Sequence, residues 1–294
     1  MKLHESYLII LAVVLIGMTG QANALLIDGP DIIAAPTSVE DDYPPGAEND
    51  HQQGFNEKQG VLLAAPLEVD DSVFIPAGTV VSSHMIFLNT HPRINVSETS
   101  TWTFDGPILG VMSQDLYGDL EFASTPILGA VGTTYPDPLV PFPLRGLEVG
   151  GGGDSYAVDG NQITVTMNVG EPGDWIRVVT AARLIDIKPG SNPNSFNING
   201  NGVIPVAVLG SEAFDVTEID VSTLSFAGLD VRVKGNGEPQ CSIKDTNGDG
   251  YDDLVCQFID DPDNWIPGDG TATLTGQLND GTVFHGTDSI NVVP

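Results

Sequence analysis

The chain has 294 residues and a mass of 31.0 kDa, enough for two domains of ordinary size or one large all-β domain with a sizeable core. Ten Lys and Arg stand against 40 Asp and Glu, a formal net charge of −30, which excludes a surface that gathers nucleic-acid phosphates or anionic lipid. Charged residues are only 17% and hydrophobic residues 41%, with 34 Gly and 21 Pro, the composition of a folded, turn-rich protein and not of an acidic disordered tail.

At the N-terminus, Lys2 opens a short polar region and an eleven-residue apolar run covers residues 8–18. Ala22-Asn23-Ala24 then supplies the small-x-small pattern that signal peptidase accepts, so residues 1–24 read as a cleaved secretory signal peptide. A membrane span needs about 20 apolar residues, and Gly17, Gly20, Gln21 and Asn23 interrupt this run. No Cys lies near the cleavage site to accept a lipid, and the chain ends on Asn291-Val292-Val293-Pro294 without an apolar tail. The expected product is secreted, extracellular or periplasmic, with no membrane span after cleavage. Loss of Lys2 and Glu5 with the leader leaves the net charge unchanged, an excess that calls for salt or divalent cations. Adaptation to brine would produce the same balance; divalent-cation binding is the sharper reading.

Residues 25–60 are rich in Pro, Asp and Asn and read as an extended lead-in with one strand at 31–35. Runs of β-branched and apolar residues follow at 61–69, 79–88, 100–104, 108–112, 162–169 and 175–181, separated by turn sequences such as Asp105-Gly106-Pro107 and Asp159-Gly160-Asn161. No window of 12 or more residues carries a helical stripe. Strict alternation at 162–169 puts Ile163, Val165, Met167 and Val169 on one buried face, whereas 79–88 is apolar at both parities and should be buried on both. Near residue 184 the texture changes, and a second series of strands is predicted at 203–209, 221–226, 230–233, 240–244, 253–258, 271–278 and 282–292. Hairpin residues such as Gly235-Asn236-Gly237 and Asp280-Gly281 join them. The predicted fold is all-β, two antiparallel β-sandwich domains of jelly-roll or immunoglobulin-like type in tandem, at 61–183 and 184–294.

One motif carries chemistry. Asp245-Thr246-Asn247-Gly248-Asp249-Gly250-Tyr251-Asp252-Asp253 places oxygen-bearing side chains at loop positions 1, 3, 5 and 9, with Gly at position 6. Calcium takes six to eight hard oxygens at about 2.3–2.6 Å, and a turn that directs alternate side chains inward supplies them. The expected ligands are Asp245, Asn247, Asp249 and Asp253, with the Tyr251 carbonyl and water completing the shell. Position 12 is Cys256 where an EF-hand has a bidentate Glu, and the flanks have strand composition. The spacing resembles the calcium loops that close β-hairpins in integrin-type repeats, and its first half resembles dockerin loops. If Ile243 and Leu254 face each other across such a hairpin, Cys241 and Cys256 do so as well, on the same side of the ribbon. In an exported protein that pair is expected to be a disulfide.

Several segments resemble recurrent text in secreted prokaryotic proteins. Asp186-Ile187-Lys188-Pro189-Gly190-Ser191, Gly202-Val203-Ile204-Pro205-Val206-Ala207-Val208-Leu209 and the closing Gly286-Thr287-Asp288-Ser289 are similar to a module that covers 184–294 here. Gln52-Gln53-Gly54-Phe55-Asn56-Glu57, Ser83-His84-Met85-Ile86-Phe87-Leu88-Asn89 and Pro172-Gly173-Asp174-Trp175-Ile176-Arg177-Val178 resemble a domain of exported proteins that carry an exosortase sorting tail, which this chain lacks. Both resemblances imply an extracytoplasmic β module, and neither brings an activity.

Other constellations are weaker. There is no H-E-x-x-H or G-x-S-x-G, and His84 and His91 form a zinc pair only if carboxylates converge on them. Glu148, Asp154, Glu171 and Asp174 could pair for glycoside hydrolysis, and Trp102, Trp175, Trp265 and Tyr156 could form a sugar-stacking platform. The sequence-based expectation is a non-catalytic, calcium-binding structural or adhesion protein of the cell surface or matrix, whose partners are calcium and a surface glycan or another extracellular protein. A glycan-binding module and a carboxylate-dependent glycoside hydrolase are the alternatives.

Overall fold

The computed structural model describes residues 25–39, 49–90, 95–113, 120–135, 145–147, 153–170, 173–191, 193–198, 200 and 202–294. The signal peptide expected at 1–24 lies outside them, as do His91, Glu148 and Glu171. The architecture is all-β: the described residues form two four-stranded sheets, two five-stranded sheets, one of which counts the short strand Val61–Leu62 among its five, and a two-stranded ribbon.

Alternation builds the first sheet. Strand Gln162–Val169 buries Ile163, Val165, Met167 and Val169 and turns its polar residues outward, as a period of two requires. It pairs antiparallel with Val96–Phe104 over eight residues, Ile163 opposite Trp102. On the outer face, hydroxyl pairs Thr99–Thr166 and Thr101–Thr164 hydrogen-bond across the strands at 2.8 and 2.9 Å. Strands Leu26–Asp28 and Ser155–Asp159 flank this pair.

The second sheet centres on Val80–Leu88, buried at all nine positions because both faces are covered. Ile86 and Leu88 meet Trp102, Phe104 and Ile163 of the first sheet in one apolar cluster, while Met85 and Phe87 pack with Val39, Phe55 and Trp175 on the other side. Each such buried side chain contributes about 1.5–3 kcal/mol against the entropy of ordering the chain. Gln53–Asn56 and Asp174–Ala181 pair with Val80–Leu88, and Ile108–Met112 continues the sheet. Residues 25–60 therefore supply two sheet strands, and the strand expected at 31–35 is a single bridge between Ile32 and Gly54. Glycine is required around the Trp102 indole: a Cβ at Gly29 would stand 2.1 Å from Cε3, and one at Gly54 2.6 Å from Cζ3.

A buried polar network ties this sheet to the short helix Leu120–Leu128. Arg177 and Glu57 are fully enclosed, with the guanidinium Nε and Nη2 each donating to a Glu57 oxygen at 2.7 Å. Arg177 Nη1 donates to the Glu121 carbonyl and to Ser124 Oγ, while Ser83 Oγ and the Tyr135 hydroxyl donate to Glu57 at 2.6 Å. Burial works against the charge on Arg177, but the Glu57 carboxylate more than offsets it and holds the guanidinium above its usual range. At nine residues with Pro126 inside, the helix is too short and too irregular to print a periodic stripe.

The remaining sheets use the second series of strands. Ile185–Ile187, Val203–Val208, Asp253–Ile259 and Cys241–Lys244 lie side by side in that order. The other sheet runs Ser195–Asn197, Val283–Val293, Gly268–Leu278, Ile219–Phe226, Leu229–Asp230. Pairing is antiparallel except for Ser195–Asn197 on Val283–Val293. Ile187, Val206, Val208 and Phe258 of the first meet Phe226, Leu274, Phe284 and Ile290 of the second in a common core. Val80 belongs to that core as well. At the same junction Ala182 N donates to Val80 O at 3.1 Å, and Ser211 Oγ to the Gly60 carbonyl at 3.1 Å. No helix among the described residues is long and apolar enough to cross a membrane.

Candidate metal-binding hairpin

Strands Cys241–Lys244 and Asp253–Ile259 form the hairpin that the sequence predicts, with Ile243 opposite Leu254 and Cys241 opposite Cys256. The two cysteines are joined in a disulfide across the ribbon, 15 residues apart in sequence. In the chain-entropy picture a loop of this length is worth about 3 kcal/mol. Cys241–Lys244 is the edge strand of its sheet, so the bond fastens the edge to its neighbour.

The connecting loop folds around its own side chains. Asp245 Oδ1 accepts from Gly248 N at 2.7 Å and Oδ2 from Gly250 N at 3.1 Å. Asn247 Oδ1 accepts from Asp249 N at 3.1 Å, and Asp249 Oδ1 accepts from Tyr251 N at 2.9 Å. Gly248 and Gly250 take φ of 80° and 92°, the left-handed region in which a side chain is strained, so glycine at position 6 makes the reversal possible. Each of these oxygens has accepted one hydrogen bond and keeps a further lone pair. The donor set is entirely hard oxygen, the chemistry that fits calcium.

Asp253 is placed differently from the other expected ligands. It is fully buried; Oδ1 accepts from Gly210 N at 3.0 Å, and Oδ2 accepts from Thr246 N at 2.7 Å and from the Thr246 hydroxyl. It braces the neck of the loop against the end of Val203–Val208. Among the described residues no group of three or more His, Cys, Asp or Glu side chains is arranged to share a metal ion. Asp245, Asn247 and Asp249 lie within the loop, and Asp253 stands at its neck.

Sequence reasoning missed a second polar centre nearby. Asp288 Oδ2 accepts from Arg183 Nη2 at 3.0 Å, Ile187 N at 3.0 Å and Asn194 Nδ2 at 2.9 Å, and Arg183 also reaches Asp186 at 3.0 Å. Burial pushes the Asp186 carboxyl up, against the pull of Arg183. These contacts join Asp186 and Ile187 to the closing strand.

The weaker constellations resolve into structure. Trp102 and Trp175 are 0% exposed and Trp265 is 8% exposed, so these indoles fill cores and form no platform for a sugar. The Tyr156 hydroxyl donates to Asp70 at 3.0 Å. Asp154 is buried and accepts from Asn168 N at 2.6 Å, and Asp174 is buried in its strand. His84 is enclosed between Asn56 Oδ1 (2.8 Å) and Thr180 Oγ1 (3.0 Å), and burial pulls its pKa down to about 3. An unfolded His titrates near 6.5, so between pH 6.5 and about 3 the unfolded chain binds a proton that the folded chain refuses. Stability is expected to fall on acidification through this window by up to about 1.4 kcal/mol per pH unit from His84. Denaturant midpoints measured from pH 7 to pH 4 should show this slope, and His84→Gln should flatten it.

No protein-family model matches the chain, and no curated protein matches it either. The functional reading therefore stands on the residues themselves.

Proposed function

We propose that the protein is a secreted, non-catalytic, calcium-binding structural or adhesion component of the cell surface or extracellular matrix, built as two β-sandwich modules. The observation that supports it is the loop at 245–253: oxygen-bearing residues in register, glycines at positive φ and a disulfide closing the same hairpin. In this reading Asp245, Asn247, Asp249 and the Tyr251 carbonyl hold calcium with water, and Asp253 fixes the loop that presents them. Two carboxylates with neutral oxygens place the affinity at the weak end of the range, about 10⁻⁴–10⁻³ M, where extracellular modules work. The net charge of −30 supplies a background field that draws divalent cations to the surface.

The test is thermal unfolding of the oxidised protein starting at Leu25, at fixed high salt, in calcium and in chelator. A ligand present at 100 times its dissociation constant and bound only to the folded state adds about 2.7 kcal/mol. A clear fall in Tm on chelation is expected, and Asp245→Ala with Asp249→Ala should remove it. Equal Tm values in calcium and chelator would reduce the loop to a turn and return the acidic excess to adaptation to brine.

A further inference from the structure

The first residue after Ala22-Asn23-Ala24 is held in an unusual way. Leu25 N donates to the Asp105 carboxylate, and Asp105 N donates back to the Leu25 carbonyl at 3.0 Å. Immediately beyond, Leu26 N donates to Asn56 Oδ1 at 2.9 Å, and the Leu26 side chain, 4% exposed, enters the core beside Trp102 and Phe104. Leu26 pairs with Phe104, so the carboxylate that receives Leu25 sits one residue beyond the paired position on the neighbouring strand. The small-x-small pattern and this grip are independent observations, one of text and one of geometry, and they meet at the same peptide bond.

We infer that hydrolysis of the Ala24–Leu25 bond by a signal peptidase completes an ion pair between the new α-ammonium of Leu25 and Asp105, locking the first strand of the mature chain into its sheet. Water supplies the hydroxyl that leaves with Ala24 and a proton to the Leu25 nitrogen, which takes a second proton from solvent at neutral pH and becomes cationic. A hydrogen bond from a neutral amide to the carboxylate in the precursor thereby becomes a bond between two opposite charges in the product. The influences on Asp105 are burial, which pushes its carboxyl up, and the amides of Leu25 and of Asp105 itself. The nearest carboxylate along the strand, Asp28, accepts from Gly29 N at 3.1 Å. Cleavage thus places a cation beside a carboxylate that no Lys or Arg among the described residues influences. This inference rests on the export half of the reading above and is independent of its calcium half.

The experiment starts with N-terminal sequencing of the exported protein, which should begin at Leu25. Four proteins are then compared: the chain beginning at Leu25 with a free amine, the same chain acetylated on that amine, and Asp105→Asn in each form. Asparagine keeps the oxygen acceptor and removes the charge. The free-amine protein should melt about 1–3 °C above its acetylated form, the scale of a partly exposed ion pair in a chain of this size. The difference should disappear in Asp105→Asn. The α-amino pKa, read from ¹⁵N-labelled Leu25, should lie above its ordinary value of about 7.7–8.0 and return there in Asp105→Asn. Equal melting of free and acetylated chains with an ordinary α-amino pKa would overturn the ion pair, and an exported chain beginning elsewhere would overturn the assignment of the bond. A chain that keeps residues 1–24 would overturn the export reading too, whereas loss of calcium binding would touch neither.

Discussion

Replacing Arg177 with alanine is expected to cost about 3–5 kcal/mol, read as a fall in the urea midpoint with an unchanged slope. The Glu57 carboxylate is fully enclosed, and its two oxygens are met by Arg177, Ser83 and Tyr135. Removing the guanidinium leaves a buried anion with two neutral donors, and removing its Nη1 also frees the Glu121 carbonyl from its anchor. The helix Leu120–Leu128 should loosen with it, seen as faster amide exchange across residues 120–128. Removing both charges should be far less damaging than removing one, because the uncompensated anion disappears. Arg177→Met combined with Glu57→Gln should recover a large part of the loss. A single and a double variant of equal stability would show that the network acts through packing and not through charge.

Asp253→Ala carries the second large effect and separates two roles within one loop. The substitution strips the acceptors from two backbone amides, Gly210 and Thr246, and from the Thr246 hydroxyl. Each buried amide left without a partner costs about 1–3 kcal/mol, so a total of about 3–5 kcal/mol is expected. That cost should be the same in chelator as in calcium, because the brace exists without the ion. Asp245→Ala should behave in the opposite way, nearly silent in chelator and visible only in the stabilisation that calcium adds. If Asp253→Ala were harmless in chelator and damaging only with calcium, Asp253 would be a ligand and the brace would be incidental.

These two sites show what a sequence can and cannot display. Alternation at 162–169 shows directly in the text because a half-buried strand must obey a period of two. The Cys241–Cys256 pairing was legible for the same reason: once the loop at 245–253 reads as a hairpin, register follows by counting. The distinction between Asp253 and its neighbours was not legible, since spacing records which residues bear oxygen and not which amide has already claimed it. Glu57 and Arg177 are 120 positions apart, and only the pairing of Gln53–Asn56 and Asp174–Ala181 on the two sides of Val80–Leu88 brings them together. The polar run at 52–57 becomes intelligible afterwards. Gln52 accepts from the Trp102 indole, Asn56 meets His84, and Glu57 holds Arg177, so the motif is a row of polar residues that each satisfy a buried partner. Its chemistry is internal, and so the motif's text points to no function.

The place of Val80 bears on how freely the two halves could be exchanged between proteins. It begins a strand of one half, yet its side chain completes the core of the other, beside Leu184 and Ile185. A chain cut at residue 184 would carry an uncovered apolar spot at that point, and a new host would have to present a similar branched side chain there. The text changes near residue 184, and the packing of Val80 runs across that position. Recombination at residue 184 would leave its product with a sticky surface unless a similar branched side chain were supplied there.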